Sequence, residues 1–250
     1  PVRQAPVYSE ASVVNAATNV PGPLAPLGLV SIYGKDLAFV TRAISPDDVR
    51  NGLLPTSLIG TGVTVSIDNI AVPILFVSPN QVNFLIPGNL RTGRRMLRLL
   101  VNGRTGPDVP IVIADSAPGL FQMEGSAAIA THADGSLITP DAPAEPEEIV
   151  VIYAAGLGAT QPAFNGLTIP NAAASITARA HFAVLLNEVP VPDSHILYAG
   201  VTPGFAGLYQ INCRIPADAP PNPEIRVRLP GQISPPRLFL SVRPSAASLQ

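Results

Sequence analysis

Proline and glycine, 29 and 20 of the 250 residues, recur at such short intervals that almost no window of this chain is free to carry a helix of ten or more residues. An interior proline removes a helical N–H and clashes with the turn before it, so these breaks restrict helix to a turn or two. The best place for one is 46–51, with Ser45 as cap, Pro46 at the first helical position and Gly52 as the stop. Between the breaks lie short alternating or β-branched stretches at 29–33, 63–67, 70–77, 81–86, 96–101 and 109–113. Strands at this spacing, bounded by turn residues, describe a β-sandwich or barrel.

The chain also repeats itself. PLGLVSIY at 26–33 matches PEEIVVIY at 146–153, and Leu37 matches Leu157. Further on, ILF at 74–76 matches ILY at 196–198, QVNFLIP at 81–87 matches QINCRIP at 210–216, and LRL at 97–99 matches IRV at 225–227. The second copy carries an insertion of seven residues before 210, and otherwise keeps order and spacing. Such self-similarity sets the domain count independently of length. The expected architecture is all-β, with two tandem immunoglobulin-like β-sandwich domains at 13–118 and 119–250, preceded by an extended segment at 1–12. The junction falls at the Ala117-Pro118-Gly119 turn signal, with no flexible linker and hence a restricted angle between domains. Val30, Ile32, Leu75, Val82 and Phe84 are expected to face the first core, and Val150, Ile152, Leu197 and Ile211 the second.

Several strings carry a resemblance. Val14-Asn-Ala-Ala17, Leu29-Val-Ser-Ile-Tyr-Gly34, Ile152-Tyr-Ala-Ala-Gly-Leu-Gly158 and Pro203-Gly-Phe-Ala-Gly-Leu-Tyr-Gln-Ile-Asn212 resemble the Solibacter-type uncharacterised C-terminal domain family. The likeness spans most of 12–243 and is strongest in the second half. It implies an exported bacterial protein with a divergent immunoglobulin-like or IPT-like sandwich, often at the end of a long extracellular chain, and it implies no catalytic residues.

Charge and chemistry agree with that setting. Charged residues make up 13% of the chain, about half the usual share. A formal net charge of −2 provides no basic field for nucleic acid. Arg94, Arg95, Arg98 and Arg104 cluster around one expected hairpin, where solvent-face charge blunts edge pairing. No 18-residue apolar run marks a membrane span, and the start at Pro1 fits removal of a leader or trimming of a longer protein. His132, His181 and His195 lack metal-ligand spacing, and Glu145, Glu147 and Glu148 read as solvated charges in a proline-rich turn. Cys213 aligns with Phe84 and reads as a small buried hydrophobe. No catalytic residue, cofactor or metal is expected.

The first functional reading is a non-catalytic extracellular structural protein whose copies join into a fibre, sheath or surface layer by donating the N-terminal segment as a strand. Val2, Ala5, Val7 and Tyr8 would supply its side chains, over a reach of roughly 40 Å. Phe205, Leu208 and Tyr209, in the inserted loop, would form a second contact surface with another copy or partner. The alternative is a C-terminal adhesion or spacer module of a larger secreted protein, binding a surface glycan or protein.

Overall fold

The computed structural model describes residues 4–244. Among them there is no α-helix, only 3-10 turns such as Glu10–Ser12 and Pro46–Asp48. The second starts where a turn over 46–51 is expected but ends at Asp48, short of Gly52, and the Asp48 carboxylate closes it by accepting from the Ser45 N–H and hydroxyl at 3.0 and 2.8 Å.

The strands of the first half are β1 (Val13–Asn15), β2 (Leu29–Tyr33), β3 (Arg42–Ala43), β4 (Val63–Ile67), β5 (Ile70–Ala71), β6 (Ile74–Ser78), β7 (Gln81–Leu85), β8 (Gly93–Val101), β9 (Arg104–Thr105) and β10 (Val109–Ile113). They form two antiparallel sheets, β1-β2-β7-β6-β3 and β10-β8-β4-β5, with β9 paired to β8. Alternation is plain in β4, where Val63, Val65 and Ile67 point inward, and the inward residues of both sheets meet in one core running from Tyr8 to Ile113.

The second half repeats the plan. Its strands are β11 (Gly119–Leu120), β12 (Ala130–Thr131), β13 (Ile149–Ala155), β14 (Thr160–Gln161), β15 (Ala174–Ile176), β16 (Ala183–Leu186), β17 (Val189–Pro190), β18 (Ile196–Val201), β19 (Tyr209–Arg214), β20 (Ile225–Leu229) and β21 (Gln232–Ile233). One sheet runs β11-β13-β19-β18-β15-β14, with β12 on β13, and the other β17-β16-β20-β21. The chain is thus two immunoglobulin-like sandwiches in tandem, each with a core of its own.

The strand registers match between the halves residue for residue. Val30 faces Phe84 and Ile32 faces Val82 in the first, while Val150 faces Cys213 and Ile152 faces Ile211 in the second. All eight are buried. Both 4-5 and 16-17 hairpins turn on two residues with positive φ, Asp68-Asn69 and Asn187-Glu188, the conformation that suits the twist of a two-residue hairpin. Cys213 is buried, and burial pushes its thiol up to about 12, so it behaves as a packing group and not as a nucleophile.

Two expected core positions are corrected. Leu75 is only half-buried and Leu197 is 51% exposed, whereas Ile74 and Ile196 take the inward sites. The cause is a β-bulge at the same place in both copies, between Ile74 and Phe76 and between Ile196 and Tyr198. One extra residue on the bulged strand leaves its middle side chain unpaired and turned off the core.

Candidate contact surfaces

Residues 4–12 lie along the first sandwich of their own chain. Val7 exchanges two backbone hydrogen bonds with Lys35, both at 2.9 Å, and its side chain stays outside. Tyr8 turns inward and is 7% exposed. Its hydroxyl accepts from the Leu99 N–H at 2.7 Å and donates to the Pro107 carbonyl at 2.6 Å. Pro107 has no N–H, and the ladder between β8 and the chain after β9 is interrupted there, so the phenol bridges a backbone donor and acceptor that would otherwise lack partners. Gly106 leaves the room, since a Cβ there would press on the Tyr8 ring.

Tyr8 is therefore a core residue, and the expectation that Val7 and Tyr8 act as donated-strand contacts is corrected: their pairing is intramolecular. Ala5 is exposed. Val2 lies outside the described residues.

The inserted loop before β19 is likewise placed against its own chain. Tyr209 is fully buried, donating from its hydroxyl to the Gly158 carbonyl, which removes it from any contact surface. Leu208 is half-buried, its carbonyl accepting from the Thr202 N–H at 2.9 Å. Gly207, at φ +75°, lets the loop approach the other domain, where a Cβ would lie 2.7 Å from Leu85 Cδ1 and 3.3 Å from Leu29 Cβ. Phe205 alone projects, at 59% exposure. The insertion that distinguishes the second copy is a strut between the sandwiches, a role invisible in sequence because its counterparts lie more than a hundred residues away.

That strut is one part of a continuous junction. Leu54 N–H donates to the Leu167 carbonyl and Gly88 N–H to the Asn165 carbonyl, both at 2.8 Å. Leu27, in the left-handed region at φ +61°, is buried within the core of the second sandwich. At the boundary turn Asn15 Nδ2 donates to the Ala117 carbonyl at 2.9 Å, and the Ala117 N–H donates across to the Gly156 carbonyl at 2.8 Å. Beside the junction opens a cleft of about 540 Å³ lined by Gly52, Pro162, Phe164, Ile169, Pro170 and Val201, among others. Exposed Leu53, Leu167, Ile169 and Phe205 make this region apolar.

The histidines do not converge, and no group of three or more metal-ligating side chains occurs among the described residues. His132 has a structural post. Its Nδ1 lies 2.5 Å from Glu148 Oε1 and its Nε2 3.2 Å from the Ala142 carbonyl, while Glu148 Oε2 accepts from the Glu145 N–H at 2.8 Å. Glu148 is thus a clasp residue and not a free loop charge. The clasp shapes the loop in which Ala144 pairs with Val242 and Glu145 with Arg243.

Both ring nitrogens face acceptors, an arrangement satisfied by the imidazolium alone. The Glu148 hydrogen bond raises the His132 pKa, desolvation opposes it, and the Ala142 carbonyl and the Glu148 and Asp134 charges add to the rise. The clasp therefore stabilises fully below the unfolded histidine value of about 6.5 and loses that contribution as pH rises through the raised folded value. Amide exchange at Ala144 and Arg243 should accelerate from pH 5 to pH 8.5 beyond the intrinsic base catalysis, and His132→Asn should abolish the excess. An unchanged excess in that variant would remove the clasp from the account.

No protein-family model matches the chain, and no curated protein matches it. Solved structures do. A Bacteroides ovatus mixed-linkage glucan utilization locus protein, SGBP-B, in complex with a mixed-linkage heptasaccharide, aligns over 96% of this chain and 45% of its own, at 9% identity and TM-score 0.34. The chain thus spans less than half the length of that protein. Domains 5–6 of the S-layer protein SbsC align over 96% and 100% of the two chains, at 9% identity and TM-score 0.28. The tandem Ig repeats of Dlar align over 96% and 95%, at 12% identity and TM-score 0.21.

Proposed function

We propose that this chain is a non-catalytic structural module of an exported, cell-surface protein, serving as a rigid two-sandwich spacer that holds adhesive or structural partners at a fixed separation and angle. The observation that carries this reading is the junction. Tandem domains joined by a linker move relative to one another by default. Here backbone hydrogen bonds from Leu54 and Gly88, the buried insertion of Leu27 and the Gly207 loop tie the two sandwiches on several sides. The resemblance of the strings at 152–158 and 203–212 to domains of exported bacterial proteins supports the extracellular setting. Assembly into a fibre by donation of residues 1–12 is not retained, because the segment from Val7 onward is already paired within its own domain.

Residual dipolar couplings test the spacer directly. A single alignment tensor should fit both sandwiches of the native chain. Gly88→Val, whose Cβ would run into the Phe164 carbonyl and the Leu27 side chain, should separate the tensors while each sandwich keeps its own amide pattern. Two independent tensors in the native chain would end the rigid-spacer reading.

A further inference from the structure

The repeat extends to the edge of each sandwich. Val13 pairs with Ile32 as Ala130 pairs with Ile152, and the bridge Val14 to Pro21 corresponds to Thr131 to Leu137. Leu24 then runs parallel to Ile113 as Ala144 runs parallel to Val242. The bonds are the same in kind: Leu24 N–H to the Val112 carbonyl and Ala114 N–H to the Leu24 carbonyl, against Ala144 N–H to Ser241 and Arg243 N–H to Ala144, all at 2.8 or 2.9 Å. By this register Pro110 corresponds to Phe239 and Val112 to Ser241. A proline-lined groove opens at the same place in both copies. In the first it measures about 510 Å³ and touches Glu10, Ala11, Pro21, Pro23, Pro110 and Val112. In the second it is about 320 Å³, beside Ser126, Ala127, Pro140, Pro143 and Phe239.

The difference in size has a local cause. In the second sandwich residues 126–128 run parallel to the last strand, with Phe239 N–H donating to the Ser126 carbonyl at 2.9 Å and Ala128 N–H to the Phe239 carbonyl at 2.8 Å. The corresponding residues 9–11 of the first sandwich curl into the Glu10–Ser12 turn, where Ser12 N–H bonds to the Ser9 carbonyl at 3.1 Å. Pro110 has no N–H with which to hold them extended. Its carbonyl points the same way as that of Val112, away from β8, because alternate residues of a strand face the same neighbour. Among the described residues the Pro110 carbonyl has no backbone donor, and it is left with an apolar floor and a 47% exposed Val112 where the other copy seats a strand of its own.

We propose that this groove of the first sandwich takes an extended peptide segment from a partner protein, laid parallel to β10, with small side chains along the floor and a basic residue at the rim. The occupant's shape is read from the Ser126-Ala127-Ala128 segment that fills the equivalent slot, and its charge from Glu10, the charged residue lining the groove, since the exposed Arg94 opposite Val112 lies on β8 outside that lining. Main-chain bonding to the strand edge supplies attraction, while the groove limits side-chain size. This inference is independent of the spacer reading, since it concerns one sandwich only.

Two synthetic peptides with a Ser-Ala-Ala-Ile core, one flanked by arginines and one by glutamates, are titrated into the full chain while amide shifts are followed by NMR. The expected result is saturable shifts at Ala11, Ile111 and Val112, with the arginine peptide binding at least several-fold more tightly. Val112→Arg, at an exposed site, should weaken that binding about tenfold or more with the remaining spectrum intact. Absence of saturable shifts at millimolar peptide, equal affinity for the two peptides, or binding unaffected by Val112→Arg would overturn the proposal. So would a change in the sedimentation of the protein alone on Val112→Arg, which would make the groove a contact between copies of this chain.

Discussion

Tyr8→Ala should lower the stability of the first sandwich by about 3–5 kcal/mol, the range for truncating a buried aromatic side chain. For a domain of this size that corresponds to a fall in its melting temperature of more than about 10 °C. The loss has two sources. The ring vacates the place that the missing side chain of Gly106 leaves for it, and the Leu99 N–H and Pro107 carbonyl lose the hydroxyl that satisfied both. Tyr8→Phe separates them: it keeps the packing and removes the bridge, at a cost of about 1–3 kcal/mol. Tyr8 and the core of the second sandwich belong to separate clusters, so the loss falls first on the first sandwich. Should Tyr8→Ala leave the unfolding of the first sandwich unchanged, the N-terminal segment would be an ornament on the domain, and its use between molecules would return as an open reading.

The second large effect lies at Asp48. Its carboxylate is buried and accepts from the Ile59 N–H at 2.8 Å, from the Ser45 N–H and hydroxyl, and from Arg42 Nη2 at 2.9 and 3.0 Å. It thereby holds the Pro46–Asp48 turn, the end of β3 and the loop before β4 together. Asp48→Ala should cost about 3–5 kcal/mol, because the buried donors of Ile59 and Ser45 and the Arg42 cation all lose their acceptor. Burial by itself would raise the Asp48 pKa. The donors from Ile59 and Ser45 and the Arg42 charge outweigh it and hold the group below the ordinary carboxylate range. The stabilisation is therefore present above the unfolded value, near pH 4, and is lost as pH falls through the lower folded value. Acid titration of the native chain against Asp48→Asn, which keeps the shape but not the charge, should show that component only in the native chain. Parallel acid profiles would show that the charge contributes nothing.

Much of the fold was legible because its causes are local or repeated. Proline and glycine exclude long helices wherever they fall, alternation assigns faces within a strand, and the matched strings at 26–33 and 146–153 or 81–87 and 210–216 fix the same strand pairing twice. Val30, Ile32, Val82, Phe84, Val150, Ile152 and Ile211 follow from that alternation and are buried. Alternation failed at Leu75 and Leu197, because a bulge inserts one residue into the count and nothing in a single apolar string distinguishes ILF with a bulge from ILF without one.

The contact surfaces were less legible. Val7, Tyr8, Leu208 and Tyr209 were readable as apolar residues in proline- and glycine-bearing segments, and such residues look alike whether they meet another molecule or their own. What decides is geometry at a distance: Tyr8 meets Leu99 and Pro107, and Gly207 meets Leu29 and Leu85. The acidic run at 145–148 reads as solvated until the fold brings His132 against Glu148. By itself, then, the sequence determined the strand content, the repeat of one sandwich plan and the inward residues of the unbulged strands, because those depend on period and repetition along the chain. Only the tertiary structure decided where the N-terminal segment goes, that the insertion braces the junction, and how the grooves of the two copies differ, because each depends on backbone groups whose partners are remote in sequence or, at Pro110, on an N–H that proline lacks.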